Sequence, residues 1–169
     1  MSDNDPFFVD RSLARRMELT YACRAVHYAR AYAAEHPAAG VAVERLAGGF
    51  AISTGPALPV NRAIGLGMSE TVARGDLEAV IDFYHSRGLP ARVDLCPLAD
   101  RSLMELLAAS SFHVEGFLNM LFRPLDDRVL DWPQTPGVRV AEIKPDQRDL
   151  WLETVASGFA DLEGQPPPE

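Results

Sequence analysis

The strongest constraint on the fold is the change in apolar spacing between residues 76 and 122. Apolar residues recur three and four positions apart over 76–88, which predicts an amphipathic helix. Apolar and polar residues alternate over 91–96, as in a strand, and Asp100 is placed to cap a second helix. The apolar and aromatic run over 112–122 predicts a central strand. This order of helices and strands favours an α/β (α+β) fold, in which helices pack over a mixed sheet.

The first part of the chain predicts one long helix followed by short strands. Asp10 can cap a helix that runs to about Glu35. The apolar stripe of that helix is expected in the core and consists of Leu13, Met17, Tyr21, Tyr28 and Tyr32. A change of period then predicts a hairpin over 41–53 and a further strand over 60–67.

Prolines indicate a boundary in the second half of the chain. Residues 124–137 contain three prolines and are typical of a linker. Residues 138–143 then predict a strand, and Asp146 is placed to cap a helix after it. One strand and one helix cannot bury their apolar faces alone. We therefore expect one unit over 1–123, a linker, and an incomplete second unit over 138–169.

Charge and cysteine content exclude several classes of protein. Sixteen basic and 24 acidic residues give a formal charge of −8, which argues against nucleic acid as a partner. There is no apolar run long enough to cross a bilayer, and residues 1–5 are acidic where a signal peptide is basic, so we expect a cytoplasmic protein without membrane contact. Two cysteines without clustered histidines predict neither a disulfide framework nor a structural metal site.

Three stretches carry a resemblance to a known family. They are Gly48-Gly49-Phe50-Ala51 leading to Asn61-Arg62-Ala63-Ile64-Gly65-Leu66-Gly67, then Val93-Asp94-Leu95-Cys96-Pro97-Leu98-Ala99-Asp100, and Val138-Arg139-Val140 through Phe159-Ala160. In order and residue type they resemble the N-terminal part of two-repeat members of the GNAT superfamily of acyl-CoA-dependent N-acetyltransferases. The resemblance implies a degenerate first repeat with a mixed, mainly antiparallel sheet flanked by helices. It also implies that acetyl-CoA binds a Q/R-x-x-G-x-G/A loop of the second repeat, beyond Glu169.

The first repeat has a partial match to that cofactor loop. The best match is Arg74-Gly75-Asp76-Leu77-Glu78-Ala79, where the family places the loop. Leu77 stands where a glycine would let the backbone approach a pyrophosphate, and Asp76 and Glu78 add negative charge. Each charge opposes a phosphate by roughly 3 kcal/mol at ~6 Å and an effective dielectric of about 20, against about 0.3–1 kcal/mol from the helix dipole. Acetyl-CoA is therefore not expected on this chain.

Five residues near predicted strand ends are candidates for a substrate pocket. They are Asn61, Asp94, Cys96, Glu115 and Asn119. Asp94, Glu115 and Asn119 interrupt apolar strands, so each lines a cleft between diverging strands or points into solvent. Asn61 contacts a ligand or stabilises a turn, and Cys96 faces a crevice at a strand end or simply packs. No catalytic residue and no set of metal ligands is assigned.

A thiol site is the other chemistry that the sequence raises. Cys23 and His27 lie four positions apart on the first helix and could face each other. The favoured interpretation is a buried cysteine beside a surface histidine, because cysteine packs as a small hydrophobe. A thiol enzyme using Cys96 is a weaker hypothesis, because no histidine and acid can be placed beside it.

The resemblance favours one function and leaves one rival. It implies the N-terminal portion of an enzyme that transfers acetyl from acetyl-CoA to a small-molecule amine, with this portion inactive alone. The rival is a non-catalytic module that offers an assembly or ligand-sensing surface. Apolar residues on the last predicted helix, such as Trp151 and Val155, predict a homo-oligomer formed through the incomplete second unit.

Overall fold

The computed structural model describes residues 8–56, 58, 60–123 and 135–163, the last five of them by their backbone alone. The chain divides into two compact units, Met1–Leu121 and Phe122–Glu169. Within the described part of the first unit, helices pack on a four-stranded mixed sheet, so the fold is α+β.

A long helix opens the first unit. Helix α1 spans Arg11–Glu35, and the carboxylate of Asp10 accepts a hydrogen bond of 2.7 Å from the backbone N–H of Leu13. Because that bond satisfies one of the free amides at the helix start, Asp10 fixes where α1 begins. Both the helix and its cap confirm the sequence prediction.

The sheet combines antiparallel and parallel pairs. Strand β2 (Gly49–Ser53) pairs antiparallel with both β1 (Ala42–Leu46) and β3 (Arg62–Ile64). Helix α2 (Arg74–His85) then carries the chain over one face to β4 (Val93–Asp94), which pairs parallel to β3. Helix α3 (Arg101–Ala109) follows, capped by Asp100 as predicted. The sheet order is β1-β2-β3-β4, so β4 lies at an edge.

The two faces of the sheet carry different cores. Ile52 and Ile64 pack under α1, while their strand neighbours Ala51 and Ala63 face α2 and α3 on the other side. Successive side chains of a strand point to opposite faces, which explains the division. The hydroxyl of Tyr84 on α2 accepts from the backbone N–H of Ile52 at 3.1 Å and donates to its carbonyl at 3.2 Å.

The buried stripe of α1 differs from the predicted one. It consists of Ala14, Glu18, Ala22, Ala25, Val26 and Ala29. The predicted stripe is wrong, because Tyr28 is 48% exposed and Tyr21 and Tyr32 are only half-buried at its border. Small side chains let the helix backbone lie close to the sheet, and the larger tyrosines are left at the margin.

The predicted central strand over 112–122 is also wrong. Phe112 packs against the core, but the residues after it form no strand and expose their apolar side chains, with Phe117 and Leu121 each 94% exposed. Apolar composition favours a strand only where a neighbouring strand accepts its backbone hydrogen bonds. Strand β4 is likewise shorter than the alternation over 91–96 predicts.

In the second unit the structure describes a helix without a strand beside it. Helix α4 spans Arg148–Glu163 after a short turn of 3-10 helix, Pro145–Gln147. Residues 138–143 form no strand, which contradicts the prediction, and most of the predicted linker lies outside the described residues. Trp151 is half-exposed, and Val155 is 36% exposed. Among the residues whose structure is described, no helix is both long and apolar enough to span a membrane.

Candidate functional site

A carboxylate lies in the middle of the apolar contact between α1 and the sheet. Glu18 is only 6% exposed, and every other member of the buried stripe of α1 is alanine or valine. Its Oε2 atom is buried and has no hydrogen-bond partner within the described part of the chain. A buried polar atom without a partner is rare and costly, so Glu18 is the most unusual residue of this interface.

A second carboxylate faces the same side of the sheet. Asp94 stands opposite Ile64 in the parallel pairing of β4 with β3, so its side chain lies on the face that packs under α1. One oxygen, Oδ1, is 3.5 Å from Nη1 of Arg62, which lies two residues before Ile64 and shares that face. The other oxygen, Oδ2, is buried, and no described group bonds to it.

The charge of Asp94 acts on the carboxyl group of Glu18. Burial raises the pKa of Glu18 above its usual value, and the negative charge of Asp94 raises it further. Burial also raises the pKa of Asp94, although the guanidinium of Arg62 and the hydroxyl of Tyr21 act to lower it. We refer to Glu18 and Asp94 as the carboxyl pair. Such a pair retains a proton more readily than an exposed carboxylate, and its charge would favour a cation.

Cys96 follows the carboxyl pair at the end of β4. The residue is half-buried, and burial is the main cause that raises the pKa of its thiol. The backbone amides of Leu98 and Ala99 act to lower that pKa, while the charge of Glu18 acts to raise it. A catalytic cysteine needs a depressed pKa to form a thiolate, so these surroundings do not favour Cys96 as a nucleophile.

The side chain of Asn61 makes its hydrogen bonds to the loop that precedes it. Its Oδ1 accepts a hydrogen bond of 2.8 Å from the backbone N–H of Thr54. Its Nδ2 donates to the carbonyls of Gly55 and Leu58 at 2.7 and 3.0 Å. The side chain is buried, and these bonds hold the turn between β2 and β3.

Glu115 and Asn119 lie on the exposed segment that follows α3. Both are exposed, and a carboxylate oxygen of Glu115 is 3.1 Å from Nε of Arg92. Of the five candidates, the structure therefore places Asp94 and Cys96 together at the end of β4. It adds Glu18, for which the sequence signal is a glutamate four positions from alanines on both sides.

Cys23 and His27 lie on the outer side of α1. Both are exposed, and with Leu19, Thr20 and Arg24 they line a shallow depression. The interpretation of Cys23 as a buried cysteine is therefore wrong. All five lining residues belong to one helix, so the depression lacks the convergent walls of a binding pocket.

The turn before α2 is closed by the protein's own side chains. The backbone N–H of Ala73 donates to Oδ2 of Asp76 at 2.8 Å, and that of Val72 donates to Oγ of Ser102 at 2.9 Å. The side chain of Leu77, which stands at the glycine position of the partial match, is buried in the core. A pyrophosphate would have to displace the Asp76 carboxylate from the helix start, which does not fit an acetyl-CoA site.

Comparison of the chain with protein-family models, with curated proteins and with solved structures finds no match in any of the three. Among the residues that the structure describes, no group of three or more histidine, cysteine, aspartate or glutamate side chains could hold a metal ion. The carboxyl pair, with Tyr21, Arg62 and Cys96 around it, is the candidate site that these observations define.

Proposed function

We propose that this chain is the N-terminal portion of a GNAT-family acyl-CoA-dependent N-acetyltransferase, with a degenerate repeat as its first unit. The observation that supports this most is the sheet: three strands in antiparallel order, then α2, then β4 parallel to β3, with helices on both faces. The resemblance of the sequence implies a mixed, mainly antiparallel sheet of this kind.

In this proposal the first unit does not hold acetyl-CoA. The amides before α2 are bonded to Asp76 and Ser102, and the carboxylate of Asp76 would repel phosphate there. The cofactor would instead bind the second repeat, as the resemblance implies. The acceptor would be a small-molecule amine, which an acidic chain of charge −8 attracts in its cationic form.

The test combines acetyl-CoA titration with the mass of the natural gene product. We expect no saturable heat when acetyl-CoA is titrated into the 169-residue chain. We expect the natural product to have a larger mass, to bind acetyl-CoA, and to release CoA when amines are added. Free CoA, which lacks the acyl group, serves as the matched ligand.

Two outcomes would contradict the proposal. Saturable binding by the 169-residue chain would place a cofactor site in the first unit. If the natural product binds no acetyl-CoA whatever its length, the chain is not part of an acetyltransferase of this kind.

The exposed segment after α3 favours a second candidate, a non-catalytic assembly module. Phe117 and Leu121 are almost fully exposed, and large exposed apolar groups commonly mark interaction surfaces. The variant with Phe117→Ser and Leu121→Ser should then lose a concentration-dependent association that the parent chain shows in sedimentation. Met104→Ser, on an exposed position of α3, is the matched control. A parent chain that sediments as a monomer at high concentration would contradict this candidate.

A further inference from the structure

We propose that Glu18 and Asp94 form a pH-sensitive latch between α1 and β4, closed while the carboxyl pair holds one proton and loosened when both carboxylates are charged. The inference does not depend on the acetyltransferase proposal. It starts from two buried oxygens, Oε2 of Glu18 and Oδ2 of Asp94, that lack hydrogen-bond partners among the described residues. Glu18 belongs to the buried stripe of α1, and Asp94 lies on the sheet face under that helix.

Strand register and the helix stripe bring the two groups to the same interface. Ile64 and Asp94 are partners across β3 and β4, and Ile64 packs with the buried stripe of α1 to which Glu18 belongs. Both carboxyl groups therefore lie on the α1 side of the sheet. The charge of Asp94 raises the pKa of Glu18, which is consistent with that placement.

The proton of the closed latch belongs on Glu18. Arg62 lies 3.5 Å from Asp94 and favours its ionised form. The main causes acting on Glu18, burial and the Asp94 charge, both favour its neutral form. With Glu18 protonated and Asp94 ionised, the interface holds one negative charge instead of two, which lowers the cost of burying the pair.

The other ionisable groups around the pair do not replace that proton. On α1, the Tyr21 hydroxyl acts on Asp94 and lowers its pKa. After β4, the pKa of the Cys96 thiol is raised, so the thiol stays neutral. On α2, the pKa of Tyr84 is raised mainly by burial, and its hydroxyl is bonded to Ile52. Arg62 is thus the cation that faces the pair from the sheet.

The packing around Glu18 determines how strongly the latch affects the stability of the α1 contact. Apart from Glu18, the buried stripe of α1 contains only alanine and valine, and alanine buries little apolar area. The start of α1 is otherwise held by Arg11, which is 3.8 Å from Asp100 and donates to the carbonyl of Gly67 at 3.4 Å. A second negative charge at Glu18 therefore acts on a contact with few large side chains to oppose it.

The sign of the effect follows from proton linkage. A carboxyl whose pKa is raised on folding contributes stability that is present at low pH and lost as pH rises through the folded value. The unfolding equilibrium constant of the parent chain, divided by that of Glu18→Gln, should therefore rise with pH. The rise is up to about tenfold per pH unit between the unfolded and folded pKa of Glu18.

The experiment is denaturant unfolding of the full chain between about pH 5 and about pH 8, with hydrogen exchange and carboxyl carbon NMR. Backbone amides of α1 around Glu18 should exchange faster at higher pH than intrinsic rates explain, and Glu18→Gln should remove the excess. The Glu18 carboxyl signal, identified by its loss in that variant, should titrate above the usual glutamate range. Exposed Glu78→Gln is the matched control and should leave the pH dependence unchanged.

A second variant separates the latch from a general loss of packing. In Asp94→Asn the charge that opposes ionisation of Glu18 is gone, so the Glu18 signal should titrate at lower pH than in the parent chain. The latch is overturned if Glu18 titrates in the ordinary range, or if Asp94→Asn leaves its titration unchanged. It is also overturned if Glu18→Gln leaves the pH dependence of α1 exchange intact.

Discussion

The two faces of the sheet are built from different kinds of side chain. Against α2 and α3, the core contains large residues that are almost fully buried, including Leu77, Phe83, Tyr84 and Leu103. Against α1, the buried residues are alanines, one valine, two isoleucines and a carboxyl group, while larger side chains such as Tyr21 and Phe50 are only half-buried. Because apolar stabilisation grows with buried area, the first face supplies more of the stability and the second is more easily perturbed.

This difference shows that a closely packed contact does not necessarily bury much apolar area. Ala22 and Ala29 on α1 are fully buried, as is Leu103 on α3, but each alanine removes much less apolar area from water. On the α1 face, helix and sheet therefore lie close together, but the hydrophobic stabilisation of the contact is small. A titratable group such as Glu18 can have a visible effect on such a contact.

The largest expected effect is on the α2 and α3 face. Leu103 is 0% exposed, so Leu103→Ala should lower the free energy of unfolding by about 3 kcal/mol, through lost apolar burial and the cavity left behind. Chemical denaturation measures the change. Met104→Ala, at the neighbouring exposed position, should cost much less. Equal losses in the two variants would contradict the division between faces.

Overpacking tests the α1 face. Ala22 is fully buried between α1 and the sheet, so Ala22→Leu should lower the free energy of unfolding by about 1–3 kcal/mol by forcing the helix outwards. Hydrogen exchange should show the loss concentrated in α1. Ala34→Leu, at an exposed position of the same helix, is the control and should be nearly neutral. If Ala22→Leu is tolerated without loss, the α1 contact is looser than its burial indicates.

Replacing the buried carboxyl with an apolar group should make the α1 face resemble the other one. Glu18→Met retains the length of the side chain and removes the unpartnered oxygen, so it should raise the free energy of unfolding at neutral pH by about 1–2 kcal/mol. The gain should shrink at acid pH, where Glu18 is protonated in both states. Exposed Glu78→Met controls for the methionine itself. A destabilised Glu18→Met would mean that the carboxyl makes contacts worth more than its burial costs.

Sequence reasoning succeeded where the determining contacts are local. Helix α2 follows from apolar spacing, and the starts of α1 and α3 follow from the side-chain caps Asp10 and Asp100. Both signals depend on residues close in sequence. The predicted strand over 112–122 failed because pairing depends on a distant neighbour. Glu18 was missed for the same reason, since only the packing of α1 on the sheet places it on the same side as Asp94. Asp94 and Cys96 were candidates from the sequence because the strand over 91–96 can be predicted from local alternation.

The smallest expected effect compares helix caps on the two faces. Asp10 caps α1, and Asp76 bonds back to Ala73 at the start of α2, so replacing either by alanine should cost about 1 kcal/mol. The two losses should differ in where they appear. Asp10→Ala should mainly increase hydrogen exchange at the start of α1, because small side chains hold that helix. Asp76→Ala should lower global stability instead, because Leu77 anchors the first turn of α2 in the larger core. If Asp10→Ala destabilised the whole unit as Asp76→Ala does, α1 would be part of the same cooperative core, and the contrast between the two faces would be one of composition alone.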